Sequence, residues 1–125
     1  MSGRVRILIG EVTLVAELND SRTAQAVWEA LPFESTGSLW GKEIYFSIPV
    51  DMGSEDPQEV VQSGDLAYWP VGKAFCIFWG PTPVSQGNEC RPYSPVNVFG
   101  HIIGDLSVLD HVKDLRVKVE RWANA

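Results

Sequence analysis

The chain has 125 residues, 45% hydrophobic and 21% charged, and its 16 acidic against 10 basic side chains give a net charge of -6. That length makes one domain able to bury roughly two thirds of its unfolded surface without a disulfide or metal staple. No apolar run approaches the roughly 18 residues that span a bilayer, and the negative balance repels polyanions, so membrane insertion and nucleic-acid binding are excluded as expectations.

The start, Met-Ser-Gly-Arg-Val-Arg, passes into a strand pattern with no signal-peptide core, which makes a cytoplasmic location the expectation. Val5, Ile7 and Ile9 alternate with Arg4 and Arg6, and after Gly10-Glu11 a second alternation runs through Val12, Leu14, Ala16 and Leu18. Two strands joined by a tight turn follow from that pattern. Asn19-Asp20-Ser21 supplies capping side chains, and Ala24, Val27, Trp28 and Leu31 form one apolar helical stripe that Pro32 stops. A helix with a single stripe packs on a sheet or plugs a barrel end.

Phe33 to Gly41 reads as one short strand, and Ile44, Phe46 and Ile48 then alternate with Glu43, Tyr45 and Ser47. One of those faces is core, and the other is exposed or lines a groove. Asp56-Pro57-Gln58-Glu59 carries helix-start signals, which predicts a short helix through Val60 and Val61. Leu66 to Trp69 and Ala74 to Trp79 flank Pro70-Val71-Gly72-Lys73 as a hairpin. Both alternating sets of its second strand, Phe75/Ile77/Trp79 and Ala74/Cys76/Phe78, are apolar or small, so that strand is expected to be covered on both faces.

Residues 80–95 hold Pro81, Pro83, Gly87, Pro92 and Pro95 with little periodicity, and an irregular segment that long in a compact domain points to function. Val96 to Ile103 reads as a strand, Leu106 to His111 as a helical turn, and Val117, Val119 and Trp122 as a final strand. About eight strands and two short helices favour a mainly β, closed or nearly closed antiparallel barrel, which leaves no unpaired strand edge.

Several segments resemble a known family. Ser21 to Leu31 looks like the first helix of cyclophilins, and Ala74 to Trp79 with Val96 to Ile102 is similar to their central strands, including the Phe99-Gly100 step. Leu31 to Ser35, Trp40 to Ser47, Gly64-Asp65, Tyr68 to Pro70, Gly72 to Ala74, Gly80 to Pro83 and Ser94 to Val98 resemble the small prokaryotic cyclophilin-like proteins of uncharacterised function. The resemblance implies a closed eight-stranded antiparallel barrel capped by two helices. Cyclophilins isomerise the bond before proline in a groove on the barrel's outer wall, with an arginine on the strand after the first helix assisting the reaction. The comparable strand here, Lys42 to Phe46, has no arginine, Cys76 stands roughly where a groove phenylalanine would be, and no histidine precedes Val96-Asn97. The resemblance therefore carries over a fold and assigns no catalytic residue.

Glu43, Tyr45 and Ser47 share the face that fronts the groove in that architecture, with Cys76 and Phe78 on its floor and Arg91 and Asn97 as further polar contacts. Aromatic walls with a few convergent polar groups suit a small molecule or an extended peptide. The plainer alternative is a polar surface capping a second small apolar cluster, with Arg91 solvated and Asn97 tying down backbone. Tyr68 and Trp69 beside Pro70 fit either a stacking wall or core packing, and Asp65 fits a carboxylate bonding turn amides. Cys76, Cys90, His101 and His111 lack the close pairs of a zinc site, and no cofactor motif is present. Without a secretion signal, two free thiols are the expectation. Three readings remain: a ligand-binding domain without efficient isomerase activity, a weak or atypical prolyl isomerase, and a homo-oligomeric interaction module.

Overall fold

The computed structural model describes residues 3–122. β1 (Arg4–Ile9) and β2 (Val12–Leu18) pair antiparallel across Gly10-Glu11, with Ile9 opposite Val12. Gly10 has φ +55°, and a Cβ there would sit 2.6 Å from the Asp114 carbonyl oxygen, so both conformation and space demand glycine. α1 (Arg22–Ala30) begins at Ser21, whose hydroxyl accepts the Ala24 N–H, and buries Thr23, Ala24 and Val27.

β3 (Phe33–Thr36) and β4 (Ser38–Leu39) divide at Gly37 what the sequence presents as one strand. The Gly37 N–H donates to the Leu115 carbonyl at 2.8 Å. The chain leaves one end of the sheet there and enters the other. β5 (Glu43–Ser47), β6 (Asp65–Trp69), β7 (Ala74–Phe78), β8 (Asn97–Ile103), a 3₁₀ helix (Leu106–His111) and β9 (Arg116–Arg121) complete the fold. The sheet order is β3-β9-β1-β2-β8-β6-β7-β5-β4, and all pairings are antiparallel. Because β3 and β4 end that order and adjoin in the chain, the nine strands form a nearly closed barrel. The ninth strand arises from the break at Gly37.

The inward sets, among them Val5, Ile7, Phe46, Leu66, Phe75, Ile77, Phe99 and Val119, make one apolar core. Within it Phe75 stacks on Phe46 at 4.8 Å and meets Phe99 edge-on at 5.0 Å. Tyr68 also points inward, its hydroxyl donating to the Val50 carbonyl at 2.6 Å. Arg91, Asn97 and the 56–61 segment each have a defined place. The helix expected after Asp56 does not form: Asp56 has φ +44°, Gln58 bridges Val96 and Val61 bridges Cys90. Pairing with the far side of the long loop takes the N–H groups of Gln58 and Val61, and a left-handed residue at the cap position turns the chain away from a helix. Among the described residues the two helices are thus α1 and the 3₁₀ helix. Among the described residues no helix is long and apolar enough to cross a membrane.

Candidate functional site

The pleat of β5, β7 and β6 builds the floor. Tyr45 lies opposite Cys76 and Glu43 opposite Phe78, while Cys76 and Ala74 face Ala67 and Trp69 on β6. Opposed residues share a face, so this outer set is Glu43, Tyr45, Ala74, Cys76, Phe78, Ala67 and Trp69. The small side chains in its middle leave a hollow between the aromatic ones. All five residues of β7 are buried, because Phe75 and Ile77 enter the barrel while Ala74, Cys76 and Phe78 join a second cluster with Val61, Ala67, Cys90 and Val96 outside it. The 80–95 segment closes over that cluster.

Internal bonds hold the segment in place. Ser85 Oγ accepts the N–H groups of Thr82 at 2.8 Å and Arg91 at 3.2 Å, and the Thr82 hydroxyl donates to the Arg91 carbonyl. Its far end reaches β6, where Trp69 Nε1 donates to Ser94 Oγ at 2.6 Å. On the other side Trp40 enters from the tight turn before β5, its N–H bonded to the Glu43 carbonyl at 2.8 Å. Gly41 in that turn has φ +61° and lies against Pro81 and Thr82, where a Cβ would approach within 2.8 Å.

Between these elements is a pocket of about 190 Å³, lined by Trp40, Glu43, Tyr45, Trp69, Cys76, Pro92, Tyr93 and Val96. Tyr93 stands edge-on to Trp40 (centroids 6.0 Å, planes at 67°) and to Trp69 (6.0 Å, 78°). The tyrosine itself is 72% exposed, so it forms the outer wall.

Glu43 is the charged group of this pocket and is only 5% exposed. Burial pushes its carboxyl up to about 7, partly offset by a hydrogen bond from the Cys76 thiol. The thiol is driven well above its ordinary value by its own burial and then by the Glu43 charge. Among the described residues no lysine, arginine or histidine pairs with Glu43; its neighbour Lys42 bonds Asp110 instead, at 3.4 Å. A buried carboxylate without a counter-charge is costly.

Of the residues singled out from sequence, the structure brings Glu43, Tyr45 and Cys76 together in this pocket. Ser47 is exposed at the far end of β5, and Phe78 is fully buried in the outer cluster. Arg91 Nε bonds Glu89 at 2.7 Å, and the arginine lines a different depression, with Glu59 and Val84. Asn97 lies on the inward set with Phe99, bonding Gly53, Glu55 and Thr23 at 2.9 to 3.2 Å. Trp40 and Tyr93 carry no periodic signal, since one sits in a turn and the other in an irregular loop. Trp69 forms a pocket wall, and the Asp65 carboxylate accepts the Gln62 N–H at 2.8 Å. Cys76 and Cys90 are free thiols.

The family model described as cyclophilin-like matches residues 3–120. The chain belongs to the cyclophilin-like family. This cyclophilin-like domain is also similar to a hypothetical protein of Archaeoglobus fulgidus whose solution structure is known. The two share 40% sequence identity over 96% of this chain and 95% of the other, with a TM-score of 0.81. No curated protein matches the chain. None of the residues lining the pocket of this cyclophilin-like domain is an arginine.

Proposed function

We propose that this cyclophilin-like domain binds a small molecule, or one side chain of an extended peptide, in the pocket on the outer wall of the barrel, and that it does so without efficient prolyl isomerase activity. The observation that carries the reading is the buried Glu43 carboxyl on the floor of an aromatic pocket. A protein gains no stability from burying that group without a counter-charge, whereas a binding site gains specificity from it. The volume sets the scale of the ligand. An apolar cavity of about 150 Å³ accepts benzene, so about 190 Å³ suits a headgroup of similar size rather than several peptide residues.

A thermal-shift screen of a broad small-molecule library tests this. At least one compound is expected to raise the melting temperature of the native chain, with the effect lost in Tyr45→Ala and in Glu43→Gln. A library that stabilises none of the three proteins, or stabilises all three equally, overturns the pocket as the binding site.

A further inference from the structure

We propose that the ligand is an alkylated ammonium ion, a cation of the choline type, with Trp40, Tyr45, Trp69 and Tyr93 surrounding its alkyl groups and Glu43 as its counter-charge. The inference rests on the pocket reading above and adds the chemical class. Three observations point the same way. Four of the pocket's lining residues are aromatic, and two of the ring pairs stand at 67° and 78°, so the walls present π-faces in different directions. Such faces attract a cation by the ring quadrupole, most strongly where water is excluded. The floor then supplies Glu43, a residue only 5% exposed, whose carboxylate lines the pocket and has no protein counter-charge among the described residues.

The competing ligand classes fit less well. An anion meets the Glu43 charge directly. A neutral apolar group covers the carboxylate and leaves it either protonated or unpaired. A primary ammonium needs three acceptors to replace its water, and the lining side chains offer Glu43 and little else beyond the tyrosine hydroxyls. An alkylated ammonium has few or no N–H groups to satisfy, loses its hydration more readily, and fits about 190 Å³.

The headgroup can arrive on a free small molecule or on a methylated protein side chain, and calorimetric titration distinguishes the two. The probes are choline, its uncharged carbon isostere 3,3-dimethylbutan-1-ol, and a short peptide with trimethyllysine beside the same peptide with norleucine. At least tenfold tighter binding of either cation than of its neutral counterpart at pH 8 supports the assignment, and the pair that shows it identifies the source. That preference is expected to fall to threefold or less in Glu43→Gln, which is isosteric, and binding is expected to weaken at least fivefold in Tyr93→Leu, at an exposed position. Equal affinity for cation and isostere, an undiminished preference in Glu43→Gln, or no binding of any probe overturns the cation assignment. A library stabiliser that is neutral and still depends on Tyr45 leaves the pocket reading standing while this one fails.

Discussion

Glu43 and Glu55 are both carboxylates placed by the fold, and they titrate in opposite directions for separate physical reasons. Burial raises Glu43 from its ordinary 4.5 to about 7. Its contribution to stability is therefore fully present below about pH 4.5, where folded and unfolded chains both carry the proton. That contribution is lost as pH rises towards 7, because the unfolded chain ionises first. The titratable groups around it in the pocket are the Cys76 thiol on β7 and the phenols of Tyr45 and Tyr93. Glu43→Gln is expected to leave stability unchanged near pH 4 and to raise it at pH 8 by on the order of 3 kcal/mol, read from urea unfolding at the two pH values. A variant that keeps the wild-type pH slope would show that the carboxyl is hydrated. The alternation of Glu43 and Tyr45 with Ile44 and Phe46 makes their outward direction legible in the sequence. Burial of the carboxyl is not legible, because the residues that cover it come from a turn and a loop with no period.

Among the elements, α1 shows how a loop secures a helix end. The Glu55 carboxylate accepts the N–H groups of Arg22 at 3.0 Å and Thr23 at 2.8 Å, and the Thr23 hydroxyl at 2.7 Å. The Thr23 hydroxyl first, and then the Arg22 N–H, lower its pKa to about 2, at the end of the helix where negative charge is favoured. This contribution is present above about pH 4.5 and disappears as pH falls through 2. Glu55→Gln is expected to cost about 2 kcal/mol at pH 7, with the difference narrowing towards pH 2, as monitored by far-ultraviolet circular dichroism during denaturation. An equal loss at both pH values would assign the effect to packing. Asn97 belongs to this junction, since it bonds Glu55, Gly53 and Thr23. The groove contact expected of Asn97 is not made: it does not line the outer pocket, because on β8 it turns the same way as Phe99, two residues on. The helix expected from Asp56-Pro57 was misleading for another reason: local cap signals compete with pairing to residues 90–96, and those partners are distant in sequence.

For the whole molecule, the strand segments, two of their hairpins and the barrel class were the most legible part, since alternating apolar patterns on most of about eight segments favour a closed antiparallel sheet, whereas the order in which the strands pair was not read. The split at Gly37 was hidden because it depends on contact with Leu115. A shared barrel does not fix an activity, and this outer pocket has a carboxylate and a thiol on its floor and no arginine in its lining. In a protease-coupled assay of a proline-containing peptide, the chain is therefore expected to leave the exchange at its uncatalysed rate of tens to hundreds of seconds. Acceleration proportional to protein concentration would restore the isomerase reading. Carbon-detected magnetic resonance of Glu43 across pH 3 to 9 observes the largely buried carboxyl without a counter-charge directly. A midpoint near 7 that moves down when choline saturates the protein is the predicted result, and a midpoint near the ordinary 4.5 that ignores choline would contradict it.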